Sequence, residues 1–139
     1  QRGRFDAEMI ARGDSARDVL RMFRKGKPVM LAADMDYGAR NSTFVPFFGV
    51  NTCTLTSVSR LAEVGRAQIL PFIGEVLPNY KGYRLKVFPV WENYPSGDPD
   101  ADARRMNAFL EEQILKMPEQ YYWVHKRFKT RPPGEPSVY

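Results

Sequence analysis

Two carboxylates, an arginine and a group of aromatic rings lie close together in the first half of the chain. Asp34 and Asp36 come first, Gly38 permits a turn, and Arg40 follows. The apolar segment Phe44–Gly49 comes directly afterwards. A guanidinium binds phosphate or carboxylate groups, whereas aromatic rings bind apolar surface. The stretch therefore predicts either a site for a molecule that is anionic at one end and apolar at the other, or an ordinary strand–loop–strand whose acids stabilise the turn.

The two carboxylates allow more than one role. Asp34 and Asp36 are two residues apart, so their side chains share a face if the chain is extended. Such a pair can bind a divalent cation or hold Arg40. It can equally accept hydrogen bonds from the backbone of the turn that follows.

The single histidine, His125, and the single cysteine, Cys53, narrow the possible chemistry. They exclude a multi-histidine site, an intrachain disulfide and a multi-thiolate metal site. His125 is the only ordinary general base, but no acid lies within five residues to orient it. A structural or substrate-contacting role is therefore favoured over a catalytic one. Cys53 lies between threonines, and a small buried side chain is favoured over a reactive thiolate.

A basic run near the C-terminus points to an anionic partner. Lys126, Arg127, Lys129 and Arg131 are interrupted by Phe128 and contain no acid among them. The chain carries a formal net charge of +5. Cations interleaved with an aromatic ring suit nucleic acid or anionic lipid, and a solvated charged segment is the alternative. The sequence contains no Walker loop, Rossmann fingerprint, RNP motif or zinc-ligand spacing.

The composition bounds the class of protein. Of 139 residues, 43% are hydrophobic and 13% are aromatic, which is enough for a core and excludes global disorder. No apolar run approaches the roughly 20 residues that span a bilayer, and no signal-peptide pattern is present. The chain is therefore one domain or a piece of one.

The hydrophobic pattern predicts the elements that position the central stretch. A first helix is predicted to begin at Asp14-Ser15, where Ser15 can cap it. The run Val29–Ala33 lacks polar alternation, which predicts a strand buried on both faces of a sheet. A second helix is predicted over Leu55–Val64, after the cap-rich segment Asn51–Thr56.

The second half predicts a hairpin and a long helix. Gln68–Ile73 is the next buried strand, and Pro71 places it at an edge or a bulge. Tyr83–Phe88 alternates as a strand with one wet face, and Pro78–Gly82 is the turn between the two strands. The longest helix is predicted from about Asp100 to Met117. The expected class is α/β with one antiparallel pair of strands.

Three motifs, in this order along the chain, resemble the late acyltransferases of bacterial lipid A biosynthesis. These are the lauroyl and myristoyl transferases of the lysophospholipid acyltransferase superfamily. The motifs are Asp34-Met-Asp36-Tyr-Gly38-x-Arg40-x-Ser-x-Phe44-Val-Pro-Phe47-Phe48-Gly, then Ile69-Leu-Pro-Phe72, then Trp123-Val-His125-Lys-Arg127-Phe-Lys129-Thr-Arg131-Pro.

The resemblance implies an activity and its partners. Such enzymes move an acyl chain from acyl carrier protein onto a hydroxyacyl group of a Kdo-bearing lipid A precursor. They act at the cytoplasmic face of the inner membrane. The implied partners are acyl carrier protein, an anionic glycolipid acceptor and the membrane surface, with no nucleic acid and no cofactor.

The resemblance also implies substrate-binding residues. Arg40 stands where the wider superfamily places an arginine that binds acceptor phosphate, and Asp36 would hold its loop. The full implied set is Asp34, Asp36, Gly38, Arg40, Phe44, Phe47, Phe48, His125, Arg127, Lys129 and Arg131.

One family element has no counterpart in this sequence. The family's catalytic histidine is followed four residues later by Asp or Glu, whereas His125 is followed by Lys, Arg, Phe, Lys and Thr. In the family this motif lies upstream, after a membrane anchor. We therefore expect residues 1–131 to be the C-terminal part of a single acyltransferase domain, without the catalytic dyad, and residues 132–139 to be an extended tail.

The implied fold is a mixed, mostly parallel sheet flanked by helices, glycerolphosphate-acyltransferase-like and incomplete at its N-terminal side. Missing strands would leave an unpaired sheet edge and exposed apolar surface, so self-association is expected. Two other interpretations stay open. One is a small basic α/β module that binds nucleic acid through residues 127–131, and the other is a scaffold domain without activity.

Overall fold

The computed structural model describes residues 7–10 and 16–139. Its elements are α1 (Ala16–Arg24), β1 (Ser42–Phe47), β2 (Val50–Leu55), α2 (Ser57–Gly65), β3 (Phe72–Val76), β4 (Tyr83–Val87) and α3 (Pro99–Ile114). Short 3-10 turns follow at Pro78–Tyr80, Pro118–Gln120 and Trp123–His125. The predicted α/β class is confirmed.

The strands of the described residues form two antiparallel hairpins, β1–β2 and β3–β4. The parallel pairing expected from the sequence is not among them and stays a prediction. Within the same residues, no helix combines the length and apolar character needed to cross a membrane.

The three helices lie close to their predicted positions. In α1, Val19 and Met22 are buried, whereas the expected cap at Asp14-Ser15 lies outside the described residues. Helix α3 begins where Asp98 accepts hydrogen bonds from the backbone N–H groups of Asp100 and Ala101, at 2.9 and 3.2 Å. A side-chain acceptor at this position satisfies donors that have no partner within the helix.

The β1–β2 hairpin is a finding that the sequence pattern did not predict. Its register pairs Phe47 with Val50, so Phe48 and Gly49 form a two-residue turn. Both have positive φ, at 50° and 77°, which a tight hairpin turn requires and which glycine adopts without strain. Phe48 is held there because its N–H donates to Glu111 of α3 at 2.9 Å. The segment 51–56, expected to be rich in caps, is mostly strand β2.

The two strands predicted to be buried differ from expectation. Val29–Ala33 belongs to no helix or sheet in the described chain, and Met30 is 76% exposed. Strand β3 begins only after Pro71, which has no N–H to donate, and its residues Phe72 and Val76 are exposed. A strand is buried on both faces only when other elements pack against both of them. The described residues do not supply such elements for these two strands.

The predicted hairpin of β3 and β4 is confirmed, but neither face of β4 is buried. One face carries Tyr83, Leu85 and Val87, which are 84%, 63% and 54% exposed. The expectation of a single wet face is therefore wrong for this strand. The apolar core lies elsewhere, where Val58, Tyr94 and Met106 pack together.

Candidate functional site

A single carboxylate, that of Asp36, joins the central loop, which we define as residues 34–42, to the C-terminal block, which we define as residues 121–131. Asp36 is 2% exposed and accepts a hydrogen bond from the N–H of Gly38 at 2.8 Å. It also accepts from the N–H of Thr130 at 2.9 Å and from the Thr130 hydroxyl at 3.0 Å. The Ser42 hydroxyl closes the loop by donating to the Gly38 carbonyl at 3.0 Å. Of the roles left open by the sequence, turn stabilisation is the one observed for Asp36.

Asp34 has a different environment, although only one residue separates it from Asp36. It is half-buried at the edge of an apolar groove and lies near Tyr121. Burial raises the pKa of the Tyr121 hydroxyl, and the Asp34 carboxylate raises it further. Among the residues that the structure describes, no three His, Cys, Asp or Glu side chains gather as metal ligands.

The clamped loop presents a free cation. Arg40 is exposed, and its guanidinium makes no ion pair or hydrogen bond with the described part of the chain. Lys129, next to the clamping Thr130, is exposed as well. Gly38 turns the loop with a φ of +86°, a conformation that side chains disfavour. A rigid loop with exposed cations is a suitable shape for an anionic group.

The aromatic residues after the loop divide between core and surface. Phe47 is 0% exposed and packs against Phe48, Tyr121 and Phe128, with ring centroids 4.8, 6.3 and 5.9 Å away. It has no surface with which to contact a ligand. Phe44 and Phe48 are half-buried, and Phe48 also lies 6.2 Å from Trp123.

The basic run does not form a basic surface, because Arg127 is completely buried. Its guanidinium donates to the Cys53 carbonyl at 2.6 Å and to the Thr54 hydroxyl at 3.0 Å, and it lies 5.1 Å from the Phe47 ring centroid. Asn107 of α3 joins this network by donating to the Thr54 hydroxyl at 3.0 Å. Burial lowers the pKa of Arg127, although nearby carboxylates oppose the change.

The other members of the run have mixed environments. Arg131 donates to the Asn51 carbonyl at 2.6 Å and pairs with Glu135. His125 is half-buried, its Nδ1 lies beside the Tyr122 carbonyl oxygen, and its ring stacks on Tyr122 at 6.1 Å. Because Arg127 and most of Arg131 are enclosed, the continuous cationic stripe expected of a nucleic-acid module is not present.

The C-terminal block retains spare hydrogen-bonding capacity. In the described part of the chain, four buried side-chain atoms have no hydrogen-bond partner, and all belong to this block. They are the Tyr121 hydroxyl, His125 Nε2, Arg127 Nε and Arg131 Nε. Buried polar groups are normally satisfied, so these atoms mark a region where further polar contacts are favourable.

Cys53 is the small buried side chain that the sequence favoured. It is 1% exposed, and burial is the main cause that raises the pKa of its thiol. The Asp36 carboxylate raises the pKa further, whereas the charges of Arg127 and Lys129 lower it. These electrostatic effects on one thiol also show that the Asp36–Thr130 clamp lies close to the buried hydrogen-bond network around Arg127.

An apolar groove of about 860 Å³ begins beside the central loop. Its walls come from residues 26–34, from α2, from residues 65–74 and from the side of α3 that carries Met106 and Leu110. The sequence placed the apolar side of the site at Phe44–Gly49, but none of these residues lines the groove, and Asp34 is the one predicted site residue that does.

Sequence reasoning missed two residues that organise the site. Thr130 clamps Asp36 across 94 residues, and Asn107 connects α3 to the β1–β2 hairpin. Neither stands out in the sequence, because a buried polar residue is revealed only by its partners. Asn107 does lie on the same side of α3 as the buried Met106 and Ala103, which is the one pattern that could have indicated it.

Comparison with known proteins places this geometry in a family. The model of the family described as bacterial lipid A biosynthesis acyltransferase matches residues 1–130. The chain is 40% identical to the lipid A biosynthesis palmitoleoyltransferase of Escherichia coli strain K12, an alignment that covers 99% of this chain and 45% of that protein. It is also 40% identical to the lauroyltransferase of the same strain, over 98% of this chain and 44% of the relative.

A more distant relative gives the same result. A lipid A biosynthesis acyltransferase of Haemophilus influenzae is 33% identical, over 96% of this chain and 42% of the relative. The chain therefore spans less than half the length of the curated relatives it matches. On the family match and these identities, the chain belongs to the bacterial lipid A biosynthesis acyltransferase family.

Proposed function

We propose that this chain forms the acceptor-side part of an acyltransferase that acts in lipid A biosynthesis. The complete enzyme transfers a fatty acyl chain from acyl carrier protein to a Kdo-bearing lipid A precursor. Family membership supports the reaction class. The observation that carries the site assignment is the clamped loop, which begins at Asp34 on the wall of an apolar groove and presents Arg40, a cation without an ion pair among the described residues.

In this proposal the loop binds the anionic end of the acceptor. The guanidinium of Arg40 binds a phosphate or a sugar carboxylate, and Lys129 adds a second positive charge. Asp36 keeps the loop in one shape, so little conformational entropy is lost when the acceptor binds. Phe44, Phe48, His125 and Arg131 are proposed contacts around this centre.

The proton-abstracting base is proposed to lie on polypeptide outside this sequence. No histidine in the chain is followed four residues later by an acid, and such a pair is the dyad implied by the family. A base needs an orienting partner to accept the acceptor hydroxyl's proton effectively. The chain alone is therefore expected to be inactive, and the residues it supplies bind and position the acceptor.

The complete protein is proposed to have the mostly parallel, glycerolphosphate-acyltransferase-like sheet and to work at the cytoplasmic face of the inner membrane. Residues 1–131 belong to one domain in this proposal, and residues 132–139 form its tail. The amphipathic acceptor supports this location, because its acyl chains keep it in a bilayer.

A chimera tests the site assignment. The chimera is the E. coli palmitoleoyltransferase with this chain in place of the stretch that it matches. Acyl transfer from palmitoleoyl acyl carrier protein to the lipid A precursor is measured for Arg40→Ala and for Arg60→Ala, an exposed arginine of α2 that serves as the matched control. Arg40→Ala is expected to lower kcat/KM about 10- to 100-fold, the cost of a charge-assisted contact.

Two results would contradict the proposal. An unchanged kcat/KM for Arg40→Ala would favour the scaffold interpretation. Turnover by the isolated chain at a rate near that of the chimera would show that no outside base is needed.

A further inference from the structure

One face of the β3–β4 hairpin is apolar along its whole length and lies open to solvent in the described chain. Residues that pair across an antiparallel ladder project on the same face of the sheet. The six positions of this face, which we call the outer face, are Phe72, Gly74, Val76, Tyr83, Leu85 and Val87. All six residues are exposed, and the exposed fraction reaches 84% at Tyr83. The outer face therefore presents a continuous apolar surface without a charge.

The charged side chains of the two strands lie on the opposite face. Arg84 and Glu75 form an ion pair across the ladder at 3.0 Å, and Lys86 follows two residues later on the same side. Phe88 continues this alternation and packs edge to face on Phe109 of α3, with ring centroids 4.9 Å apart. The charged face is thus turned toward α3, and the outer face is turned away from it. A hairpin that faced only water would have its polar residues outward.

The backbone and the size of the outer face argue against two kinds of occupant. A further β-strand would need the free edge of β3, which the Gln120 side chain already uses at Val76. The Val76 N–H donates to Gln120 Oε1 at 2.8 Å, and Gln120 Nε2 donates to the Val76 carbonyl at 3.1 Å. A stable protein interface takes about 20–30 residues a side, whereas the outer face has six positions. A fluid apolar phase needs neither a free edge nor a matching shape.

The residues around the outer face suit an anionic bilayer. At the tip of the hairpin, Tyr80 and Lys81 are exposed, and tyrosine rings favour the headgroup level of a membrane. Residues 72–87 contain three cations and a single acid, Glu75, which is paired with Arg84. A two-stranded sheet is thin, so the charges on its opposite face stay within roughly a Debye length, about 8–10 Å, of the outer face. Anionic headgroups therefore attract the same element whose apolar side chains enter the bilayer.

We infer that the outer face of the β3–β4 hairpin lies in the interface of an anionic bilayer, with Tyr80 and Lys81 at its headgroups. The inference names the element that contacts the membrane, and it rests on the proposed function for the membrane location alone. Phe72 and Gly74 also line the apolar groove. A bilayer on the outer face would thus meet the groove, so that an apolar chain could enter the groove without crossing water.

Two labelled variants test the inference. In a Cys53→Ala background, which leaves no other cysteine in the chain, an environment-sensitive fluorophore is attached to Leu85→Cys or to Lys86→Cys. The isolated chain is mixed with vesicles of phosphatidylcholine and phosphatidylglycerol. The emission of the label at position 85 is expected to rise at least about threefold, because this label leaves water for the acyl boundary. The label at position 86, the matched control on the opposite face, should change by less than about 1.5-fold.

Partition of the unlabelled chain measures the apolar and the charged contributions separately. Vesicle flotation should give a partition coefficient at least about tenfold higher with phosphatidylglycerol than with phosphatidylcholine alone, because the cations are attracted to anionic lipid. Leu85→Ser should lower the coefficient on the anionic vesicles about tenfold, since one apolar side chain is lost from the bilayer. Val64→Ser, at an exposed apolar position of α2, is the control and should leave the coefficient unchanged.

Four results would overturn the inference. Equal responses of the two labels would show that the outer face is not the one in contact with lipid. Equal partition into neutral and anionic vesicles would remove the attraction on which the choice of partner depends. A response at position 85 that rises with the concentration of the chain and not with lipid would identify a second copy as the occupant. A label at position 85 that is shielded from water in the chimera without lipid would identify the rest of the enzyme as the occupant.

The vesicles contain neither the acceptor nor acyl carrier protein, so their result is separate from the acyl-transfer assay. A failure of Arg40→Ala to lower kcat/KM would overturn the site assignment and leave the vesicle result standing. A label at position 85 that does not respond to vesicles would overturn the membrane face and leave the Arg40 assay standing. If circular dichroism shows the isolated chain to be unfolded, the labels are placed in the chimera, whose own cysteines are replaced by serine, and the same outcomes apply.

Discussion

The surroundings of Arg127 and the surroundings of Met30 are opposites within one small chain. Arg127 is completely buried, and its guanidinium donates to backbone and side-chain acceptors on β2. Met30 is 76% exposed in a segment without backbone partners among the described residues. Both terminal nitrogens of the Arg127 guanidinium have acceptors, whereas the segment around Met30 leaves apolar side chains in contact with water.

The difference teaches which part of the chain is self-sufficient. The β1–β2 hairpin, α3 and the C-terminal block close on one another through Asn107, Arg127 and the Asp36–Thr130 clamp. Among the residues that the structure describes, none gives the groove or the β3–β4 hairpin an equivalent cover. We therefore expect substitutions in the first region to change the stability of the chain, and substitutions in the second to change its associations.

The largest expected effect comes from Arg127→Ala. The substitution leaves a cavity and removes the donors that satisfy the Cys53 carbonyl and the Thr54 hydroxyl. The free energy of unfolding should fall by about 3–4 kcal/mol, measured by urea denaturation. Lys129→Ala, an exposed cation of the same block, should change it by less than about 0.5 kcal/mol. Equal effects of the two substitutions would remove the contrast on which this comparison depends.

A smaller effect is expected from Thr130→Val. This change removes the hydroxyl that donates to Asp36 at 3.0 Å and keeps both the side-chain volume and the backbone hydrogen bond. The free energy of unfolding should fall by about 1.5–3 kcal/mol, the usual range for a hydrogen bond to a charged group. Thr130→Ser retains the hydroxyl and should restore most of the loss. If valine and serine behaved alike, the hydroxyl would not be part of the clamp.

Alkaline pH should weaken the same region through Cys53. Burial raises the thiol's pKa above its ordinary value of 9.0, so the unfolded chain releases this proton at a lower pH than the folded chain does. The stabilisation that comes from the protonated Cys53 thiol is complete below the pKa of this thiol in the unfolded chain. It is lost as the pH rises above that value. The urea concentration at the midpoint of unfolding should decrease as the pH is raised from about 8 to about 9.5. Cys53→Ala should make this decrease smaller. A midpoint that rose over this interval would contradict the sign.

The smallest effect on stability is expected in the uncovered region. Leu85 is 63% exposed, so Leu85→Glu should change the free energy of unfolding by less than about 0.5 kcal/mol. We propose that the isolated chain self-associates through the face of β4 that carries Tyr83, Leu85 and Val87. Leu85→Glu should therefore reduce the mass measured by light scattering. Lys86→Glu, on the opposite face of β4, serves as the control. A wild-type chain that stays monomeric at high concentration would show that this face does not mediate self-association.

The sequence predicted what depends on local pattern. Helices α1, α2 and α3 and the β3–β4 hairpin follow from periodicity and from the stop and turn residues around them. The β1–β2 hairpin was missed because its turn is Phe48-Gly49 instead of a usual turn pair. Phe48 tolerates positive φ there because Glu111 holds its N–H from a helix distant in sequence.

The candidate site was predicted in composition but not in geometry. The sequence indicated a loop that carries Arg40 and left open whether the neighbouring carboxylates hold it, and Arg40 is exposed on that loop. It also grouped Arg127 with the exposed cations, because charge alone does not distinguish a solvated arginine from one that satisfies buried carbonyls. That distinction depends on Thr54 and Asn107, which lie 73 and 20 residues away along the chain.

The clamp between Asp36 and Thr130 has a consequence for how the molecule is made. These partners are separated by 94 residues, so a ribosome must synthesise Thr130 before the loop around Asp36 acquires its final shape. Closing so long a segment is slow and entropically costly compared with forming a hairpin. In a nascent polypeptide, or in one cleaved by a protease just before Thr130, Arg40 would lie on a loop that lacks the hydrogen bonds between Asp36 and Thr130.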